Sequence, residues 1–352
     1  METETIYLDR NENHYGPAPR VFELLSSLSK NQLSIYSKDF ARGVKCRLTE
    51  RLAYDYGIPE SQIVPGYGSE DLLKQVVHCY LGPSRTIMIP QQSWWYYKKI
   101  AGEVGGRQVE YALRKGAKTF QYDLQHMMEI FNRNKPSVVL LSSPNNPTGN
   151  SLNRDQLVFL LEKMNDAVVV LDEAYLGFNG TKNHYAKELI EAFPRLAILR
   201  TFSKYYALAG VRIGYAFVGK GLSEFLNFSA RYLGYNRISE EIAIAALDSE
   251  PYYEVIRQKM VADKEMYYRG FDELPGFTAY RSDANFILVE FPPRLKTVLK
   301  QALEAKHIRV KFFDEQQFEN FMRITIGTEA MNHFLMDTIT AVVKAQYATV
   351  AR

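Results

Sequence analysis

The sequence predicts an α/β fold with a large domain, built on a mostly parallel sheet flanked by helices, and a smaller α+β domain. Short apolar runs alternate with amphipathic stretches from about residue 63 to residue 199, and such alternation is typical of a parallel sheet covered on both faces. From about residue 240 a long helical stretch and several strands replace that pattern. We therefore expect an N-terminal arm or lid (1–28) associated with the small domain, a large domain (29–238) and a small C-terminal domain (239–352).

The individual elements follow from the same patterning. Residues 6–17 end in turn formers and are too polar for a core strand, so we interpret them as an ordered arm. A glycine-containing loop at 63–73 opens a helix that ends near residue 80. The periodicity further predicts helices at 20–28, 48–56, 94–104, 123–133, 154–164 and 254–274, and strands at 86–89, 108–111, 138–141, 167–171, 196–199, 285–290, 308–311 and 322–326.

Composition excludes several classes of function. The formal net charge of +3 over 352 residues is too small to indicate a nucleic-acid or membrane partner. Two cysteines are too few for a disulfide framework or a metal cluster, which fits a reducing compartment. The acidic start of the chain lacks the apolar segment of a signal peptide, and no apolar run is long enough to span a bilayer. We expect a cytoplasmic protein without a bound metal.

The segment from Arg200 to Tyr215 suggests the chemistry. Lys204 follows an apolar run and lies among hydroxyl side chains, where a lysine can form an imine with an aldehyde cofactor. Thr201, Ser203 and Arg212 are residue types that hold a phosphate. An aldehyde and a phosphate on one molecule indicate pyridoxal 5′-phosphate (PLP). A surface lysine beside a solvated arginine would match this short pattern equally well, so the rest of the chain must decide.

Further candidate residues follow other predicted strands. Ligands of open parallel sheets bind beyond the carboxyl ends of the strands. Gly68, Ser69 and Glu70 open a helix whose free backbone amides could cradle a phosphate, although Glu70 also suits the first turn of any helix. The residues that follow strands are Gly68, Trp94, Asn146, Asp172 and Lys204. Their shared placement predicts one site at this edge of the sheet.

Two of these residues and a nearby tyrosine suit the pyridine ring of the cofactor. Asp172 ends an apolar strand, where a carboxylate is costly to bury unless it is paired, so we expect it to face the protonated ring nitrogen. Asn146 and Tyr175 could hydrogen-bond the phenolate oxygen. A helix-capping aspartate and a turn asparagine are the alternatives. Trp94, or failing that Trp95, could cover the ring face, although a core role fits Trp94 equally well.

Together these residues resemble the fold-type I PLP enzymes, and within them the histidinol-phosphate aminotransferase-like branch of the class I/II aminotransferases. That resemblance implies a large domain with a seven-stranded type of sheet that binds PLP. The matching segments extend over nearly the whole chain and occur in the same order as in the family. The matching segments are Asn11-Glu-Asn, Gly66-Tyr-Gly-Ser-Glu-Asp, Pro144-Asn-Asn-Pro-Thr-Gly, Asp172-Glu-Ala-Tyr, Thr201-Phe-Ser-Lys, Leu208-Ala-Gly-Val-Arg-Ile-Gly-Tyr, Ser282-Asp-Ala-Asn-Phe and Arg323-Ile-Thr-Ile-Gly-Thr.

The resemblance also implies roles for individual residues. Lys204 would bind the cofactor aldehyde and later move a proton between the substrate Cα and the cofactor C4′. Arg323 would grip the substrate α-carboxylate, and Asn13 would contact the substrate. Tyr36 would reach the phosphate in the neighbouring subunit, which implies a homodimer with shared sites. The residues that would hold the phosphate are Ser69, Glu70, Thr201, Ser203 and Arg212.

The chain departs from the family pattern where the substrate side chain would lie. His14 replaces the usual proline, and Lys311 replaces an arginine that binds the substrate phosphate, with Arg309 on the same face of the strand. Gly234 and the Trp94-Trp95 pair are also unusual. We favour transamination of an L-amino acid or amino alcohol with a 2-oxo acid. A histidine on a lid can act as general acid or base, so elimination, cyclisation or decarboxylation through His14 is the alternative.

A non-catalytic PLP-binding regulatory domain is a further alternative of a different class. Such modules are joined to a DNA-binding domain, which a basic recognition helix would indicate. Neither a basic helix of this kind nor an extra domain is visible in the sequence. We therefore expect an enzyme.

Overall fold

The computed structural model describes residues 4–180 and 185–350, which fold around two main sheets. The strands in chain order are β1 (Ile6–Leu8), β2 (Ile63–Gly66), β3 (Thr86–Pro90), β4 (Arg107–Tyr111), β5 (Leu113–Lys115), β6 (Phe120–Tyr122), β7 (Val138–Ser142), β8 (Val168–Asp172), β9 (Leu196–Thr201), β10 (Gly214–Val218), β11 (Thr278–Tyr280), β12 (Phe286–Glu290), β13 (Ile308–Phe312) and β14 (Phe321–Thr325). The helices are α1 (Pro19–Ser26), α2 (Lys30–Ser34), α3 (Arg47–Tyr56), α4 (Ser69–Tyr80), α5 (Tyr96–Glu103), α6 (Leu124–Asn134), α7 (Arg154–Lys163), α8 (Ala186–Ala192), α9 (Ser223–Phe228), α10 (Arg237–Leu247), α11 (Glu250–Asp272), α12 (Lys296–Ala305) and α13 (Glu329–Val350).

The larger sheet has seven strands in the order β2-β10-β9-β8-β7-β3-β4. Only β10 runs against its neighbours, since it pairs antiparallel with both β2 and β9, whereas the other neighbouring strands pair parallel. The carboxyl ends of β2, β3, β7, β8 and β9 therefore lie at one edge. The predicted α/β class with a mostly parallel sheet is confirmed.

Helices cover both faces of this sheet, as the sequence of β7 illustrates. Val138 and Leu140 point into one apolar core with residues of α4 and α5. Val139 and Leu141 point into the other core with residues of α6, α7 and α8. Because successive side chains of a strand point to opposite faces, a strand covered on both sides must be apolar at every position. All five residues of β7 are buried, and the first four are apolar.

The second sheet has five strands in the order β1-β13-β14-β12-β11. The N-terminal segment contributes its edge strand, because β1 pairs parallel with β13 and places Ile6 opposite Ile308. Sequence analysis identified this segment only as an arm, since its apolar part is three residues long. The pairing directs residues 9–12 towards the edge of the larger sheet where β8 and β9 end.

Some elements begin or end away from the predicted positions, and others were not predicted. The hairpin of β5 and β6 has strands of three residues each, too short for an alternating pattern to be distinctive. The predicted helix at 94–104 begins at Tyr96, so Trp94 precedes it and accepts a hydrogen bond from the Tyr97 amide. Across residues 4–180 and 185–350, no helix combines the length and apolar character needed to cross a membrane.

Candidate active site

A cleft of about 470 Å³ lies between the carboxyl edge of the larger sheet and the second sheet. The loops after five parallel strands form one wall, as the sequence predicted. The opposite wall consists of residues 9–12 and side chains of β13 and β14. The predicted site residues that line the cleft are Ser69, Glu70, Trp94, Asn146, Asp172, Tyr175, Thr201, Ser203, Lys204, Arg212, Lys311 and Arg323. The fold thus brings together residues that are more than 250 positions apart in the chain.

Lys204 lies half-buried in the cleft, shortly after the end of β9. Its Nζ donates a hydrogen bond to the Arg10 carbonyl at 3.0 Å and lies 5.7 Å from the centre of the Tyr175 ring. Burial, and then the positive charge of Arg323, lower the pKa of the amine to about 8, although Glu12 opposes the shift. Because only the neutral amine attacks a carbonyl carbon, this lowered pKa favours nucleophilic chemistry near neutral pH.

Thr201, Ser203 and Arg212 form one connected group beside Lys204. The Thr201 hydroxyl donates to the Ser203 hydroxyl at 2.9 Å and accepts from the Ser203 amide at 3.1 Å. Arg212 Nη1 donates to the Ser203 hydroxyl at 3.4 Å, and its Nη2 lies 3.5 Å from a Glu70 carboxylate oxygen. Two hydroxyls and a guanidinium at these distances can bind a single phosphate.

The start of α4 completes this group. Helix α4 begins at Ser69, and the first amides of a helix have no partner within it and attract anions. Gly68 caps the helix with a φ of +89°, and a Cβ atom there would lie 3.1 Å from Arg212 Nη2. Glycine is therefore required both for the backbone conformation and for the space in front of the arginine.

Asp172 ends β8 with both carboxylate oxygens bound by protein donors. Oδ1 accepts from the Ala174 amide at 3.0 Å, and Oδ2 accepts from the Tyr97 hydroxyl at 2.7 Å. The residue is 7% exposed, and burial raises the pKa of its carboxyl while these two donors oppose the rise. Tyr97 was not among the site residues predicted from the sequence, although its spacing of three from Trp94 would place both on one side of the helix expected at 94–104.

Tyr175 and Asn146 lie near Lys204, but each already has a partner. The Tyr175 hydroxyl accepts from Asn11 Nδ2 at 2.9 Å. The Asn146 Oδ1 accepts from Arg323 Nη1 at 2.6 Å, whereas its amide nitrogen makes no hydrogen bond within residues 4–180 and 185–350. Asn11 also binds Thr325 through its backbone amide at 2.9 Å. It thereby ties the N-terminal segment to both walls of the cleft.

Arg323 and Lys311 face the cleft from the second sheet. They are register partners on the antiparallel strands β14 and β13, so their side chains share one face. Arg323 is 8% exposed, its Nη2 donates to the Asp9 carbonyl at 2.5 Å, and burial lowers its pKa. Its Nε is buried without a hydrogen-bond partner in the described part of the chain. Lys311 is exposed, as is Arg309 on the same strand.

Four predicted site residues do not line the cleft: Gly68, described above, and Asn13, His14 and Tyr36. His14 Nε2 is buried and has no hydrogen-bond partner within residues 4–180 and 185–350. Asn13 is buried and donates to the Tyr205 carbonyl at 3.2 Å. Tyr36 is 68% exposed. From the same N-terminal segment, residues 9–12 line the cleft instead, and the backbone adopts a positive φ of 55° at Asn11.

The two tryptophans differ in their surroundings although both line the cleft. Trp94 is half-buried and meets the Tyr97 ring edge-on, with ring centres 5.7 Å apart. Trp95 is 59% exposed and contacts Tyr96 at 5.5 Å. A ring that packs against a buried neighbour has fewer rotamers to lose when a ligand stacks on it. The structure therefore favours Trp94 as the aromatic that could cover a ring.

The chemistry of the cleft fits PLP group by group. Lys204 suits the aldehyde, and the hydroxyl, guanidinium and helix-terminal donors suit the phosphate. The buried carboxylate of Asp172 suits a protonated pyridine nitrogen, since a buried charge needs an opposite partner. The unpartnered Nε of Arg323 offers a further donor for a substrate anion.

Known proteins share both the sequence and the fold. The family model for aminotransferase class I and II matches residues 3–339. A histidinol-phosphate aminotransferase of Chromohalobacter salexigens is 31% identical over 340 residues, which cover 96% of this chain and 92% of that protein.

Two solved structures show the same fold. The histidinol-phosphate aminotransferase of Sinorhizobium meliloti in complex with pyridoxal-5′-phosphate superposes with a TM-score of 0.84 at 22% identity, covering 97% of this chain and 91% of that one. A decarboxylase from Sulfurospirillum multivorans superposes at 0.77 with 19% identity, covering 97% and 96%. The fold alone therefore does not determine the reaction type. The family match extends over nearly the full length: the chain belongs to the class I and II aminotransferases, and it is a transferase that uses PLP as its cofactor.

Proposed function

We propose that this chain transfers the amino group of histidinol phosphate, or of a closely similar phosphorylated amino alcohol, to a 2-oxo acid. The observation that supports this most strongly is the pair of cations, Arg323 and Lys311, on the wall that faces Lys204. An amino donor with a distal phosphate and an acceptor with a carboxylate both need cations at that position. The 31% sequence identity to a histidinol-phosphate aminotransferase supports the same substrate class.

The cofactor would be held along the edge of the larger sheet. When bound, PLP supplies an electron sink for the electron pair left as the substrate Cα–H bond breaks. Asp172 would hold the charge of the ring nitrogen, and Tyr175 with the amide of Asn146 would bind the phenolate oxygen. Trp94 would cover the ring. The phosphate ligands would be Ser69, Glu70 through its backbone amide, Thr201, Ser203 and Arg212, with Gly68 leaving the space for them.

Lys204 would supply the proton transfer. Its Nζ would be the group that holds the cofactor aldehyde, and as a free amine it would accept the proton from the substrate Cα and return it on the cofactor side at C4′. An amine whose pKa lies near 8 accepts and releases a proton more easily near neutral pH than an ordinary lysine does. Transamination needs no second acid or base, so this one residue suffices.

Residues from the second sheet and the N-terminal segment would select the substrate. Arg323 would bind the carboxylate of the 2-oxo acid, since a guanidinium can pair with both oxygens. Lys311 would bind the distal phosphate as a point charge, with Arg309 further along the same face. The resemblance assigns Asn13 to the substrate as well, although its amide is bound to Tyr205. His14 lies outside the cleft-lining residues, so its position does not favour the lyase or cyclase alternative.

The half-reaction tests this proposal. Holoenzyme incubated with histidinol phosphate and no 2-oxo acid should convert about one equivalent per site and then stop, because the cofactor ends in its amine form. Adding 2-oxoglutarate should restart turnover. Absorbance of the cofactor and the amount of product are the measurements. Sustained turnover without any 2-oxo acid, lost in His14→Ala, would contradict transamination and support the lyase or cyclase.

A pair of variants tests, in the same assay, whether Lys311 binds the distal phosphate of the substrate. Lys311→Ala should raise the KM for histidinol phosphate by about tenfold, because it removes a charge-assisted contact to the phosphate. The KM for histidinol, which lacks the phosphate, should not change. Lys300→Ala on α12 is the matched control, since that lysine is exposed on the second domain and does not line the cleft. Equal effects on both amines would show that Lys311 does not bind the phosphate.

We further propose a homodimer in which Tyr36 reaches the partner's site. A surface groove adjoins Tyr36: Ser37 and residues 229–235 line it, and Gly234 lies against Ser37. Two tyrosines at this surface are strongly exposed, Tyr36 at 68% and Tyr232 at 98%. Exposed aromatic side chains clustered in this way are typical of a surface that a second chain covers.

Subunit mixing tests this arrangement. If Tyr36 crosses the interface, a heterodimer of Tyr36→Phe and Lys204→Ala subunits has one intact site, so mixing should raise the activity above the average of the two parents. If Tyr36 serves its own subunit, each site keeps one lesion and mixing restores nothing. Light scattering that finds an active monomer would also contradict the proposal.

A further inference from the structure

We infer that Tyr97 is a positioning residue that holds the Asp172 carboxylate in place for the cofactor's ring nitrogen. The inference rests on the proposed placement of the ring against Asp172. Its basis is a single close contact, the 2.7 Å hydrogen bond from the Tyr97 hydroxyl to Asp172 Oδ2.

The position of Tyr97 gives this contact little freedom. The residue lies in the first turn of α5, is 3% exposed, and meets Trp94 edge-on. Its hydroxyl also lies 3.2 Å from the Ser142 hydroxyl, at the end of the strand next to β8. A ring packed on one side by a tryptophan and fixed at its tip by two oxygens cannot turn away from the carboxylate.

The hydrogen bond from Tyr97 determines the direction of the Asp172 lone pairs that are still free to accept a hydrogen bond. An ionised carboxylate has about four lone-pair sites. The Ala174 amide uses one on Oδ1, and Tyr97 uses one on Oδ2. Each oxygen is thereby held by a different element, the backbone after β8 and the helix α5. The carboxylate plane is fixed from both sides, and its free lone pairs remain for a group in the cleft.

The donor also favours the ionised form of Asp172. Burial raises the pKa of this carboxyl, and the Tyr97 hydrogen bond is the largest of the effects that lower it again. Tyr97 itself stays protonated, because burial and the neighbouring carboxylate raise its pKa well above 10. Without this donor, Asp172 would compete more strongly for the proton on the ring nitrogen, and a buried acceptor would lose its partner.

Tyr97→Phe tests the hydroxyl separately from the ring, because the variant keeps the packing of the ring against Trp94. The first measurement is the Kd for PLP of the apoprotein, which we expect to rise about tenfold. The second is the ¹⁵N resonance of cofactor labelled at the pyridine nitrogen. We expect that resonance to move from the protonated towards the unprotonated position. A variant with unchanged Kd and unchanged resonance would overturn the inference, because the hydroxyl would then be only part of the packing.

Two further variants complete the design. Tyr111→Phe is the matched control: its hydroxyl is equally buried and donates to the Leu140 carbonyl at 2.9 Å, away from the cleft, so only stability should fall. Replacing Tyr97 with 4-aminophenylalanine keeps the ring and puts an N–H donor where the hydroxyl was, so this variant should retain a protonated resonance even if the phenylalanine variant folds poorly. An aminophenylalanine variant with an unprotonated nitrogen would overturn the inference too. If the wild-type resonance itself is unprotonated, the proposed placement of Asp172 fails, whatever Tyr97 does.

Discussion

Turnover is expected to fall by about 10⁴-fold or more when Lys204 is replaced with alanine. The substitution would remove both the proposed covalent attachment of PLP and the amine that would move the proton between Cα and C4′. No other lysine can replace it from the same side, because the second lysine lining the cleft, Lys311, lies on the opposite wall, as far as the described residues show. The measurement is kcat at saturating PLP and both substrates.

Measuring PLP binding shows whether the lost turnover comes from a lost cofactor instead of a lost amine. The phosphate ligands remain in Lys204→Ala, so the variant should still bind PLP, only more weakly. Lys220→Ala is the control, because Lys220 is exposed just after β10, at the opposite edge of the sheet. A Lys204→Ala enzyme that retained even one per cent of the wild-type kcat, about a hundredfold loss, would mean that another residue moves the proton.

The second large effect is expected at Asp172. Asp172→Asn should lower kcat by about 100-fold to 1,000-fold, because a neutral amide cannot stabilise the charge of the ring nitrogen. The side chain is isosteric, and its 7% exposure leaves little room for water to replace the lost charge. The measurement is kcat, with the PLP Kd determined alongside it.

A matched pair isolates the charge at this position. Asp166 is exposed at the other end of β8, so Asp166→Asn changes the net charge equally without touching the cleft. Its kcat should equal that of the wild type. Near wild-type turnover in Asp172→Asn would show that a different group pairs with the ring nitrogen.

The sequence was sufficient to predict the site residues that lie close together in the chain or at the end of a clearly apolar strand. Lys204, Thr201, Ser203 and Arg212 lie within one short segment, and Asp172 ends a strand that is recognisable from its apolar run alone. The carboxyl-edge rule then predicted that these residues meet. The structure places all of them in one cleft.

Contacts that depend on the packing of distant elements were not predictable. The Tyr97 bond to Asp172 requires the angle between α5 and β8, which no spacing in the sequence specifies. Asn11 was part of a recognised motif, yet its contacts with Tyr175 and Thr325 depend on the three-residue strand β1. His14 departs from the family pattern, but residues 9–12, which include the positive-φ residue Asn11, line the cleft instead.

Borohydride reduction followed by peptide mapping tests the central claim, that Lys204 holds PLP in this cleft, most directly. Purified holoenzyme should show a visible absorbance band that reduction abolishes, and the pyridoxyl label should appear on the peptide that contains Lys204 and on no other. Lys204→Ala treated in the same way should remain unlabelled. A label on Lys311 or on any lysine outside the cleft, or a protein that stays colourless with added PLP, would contradict the account.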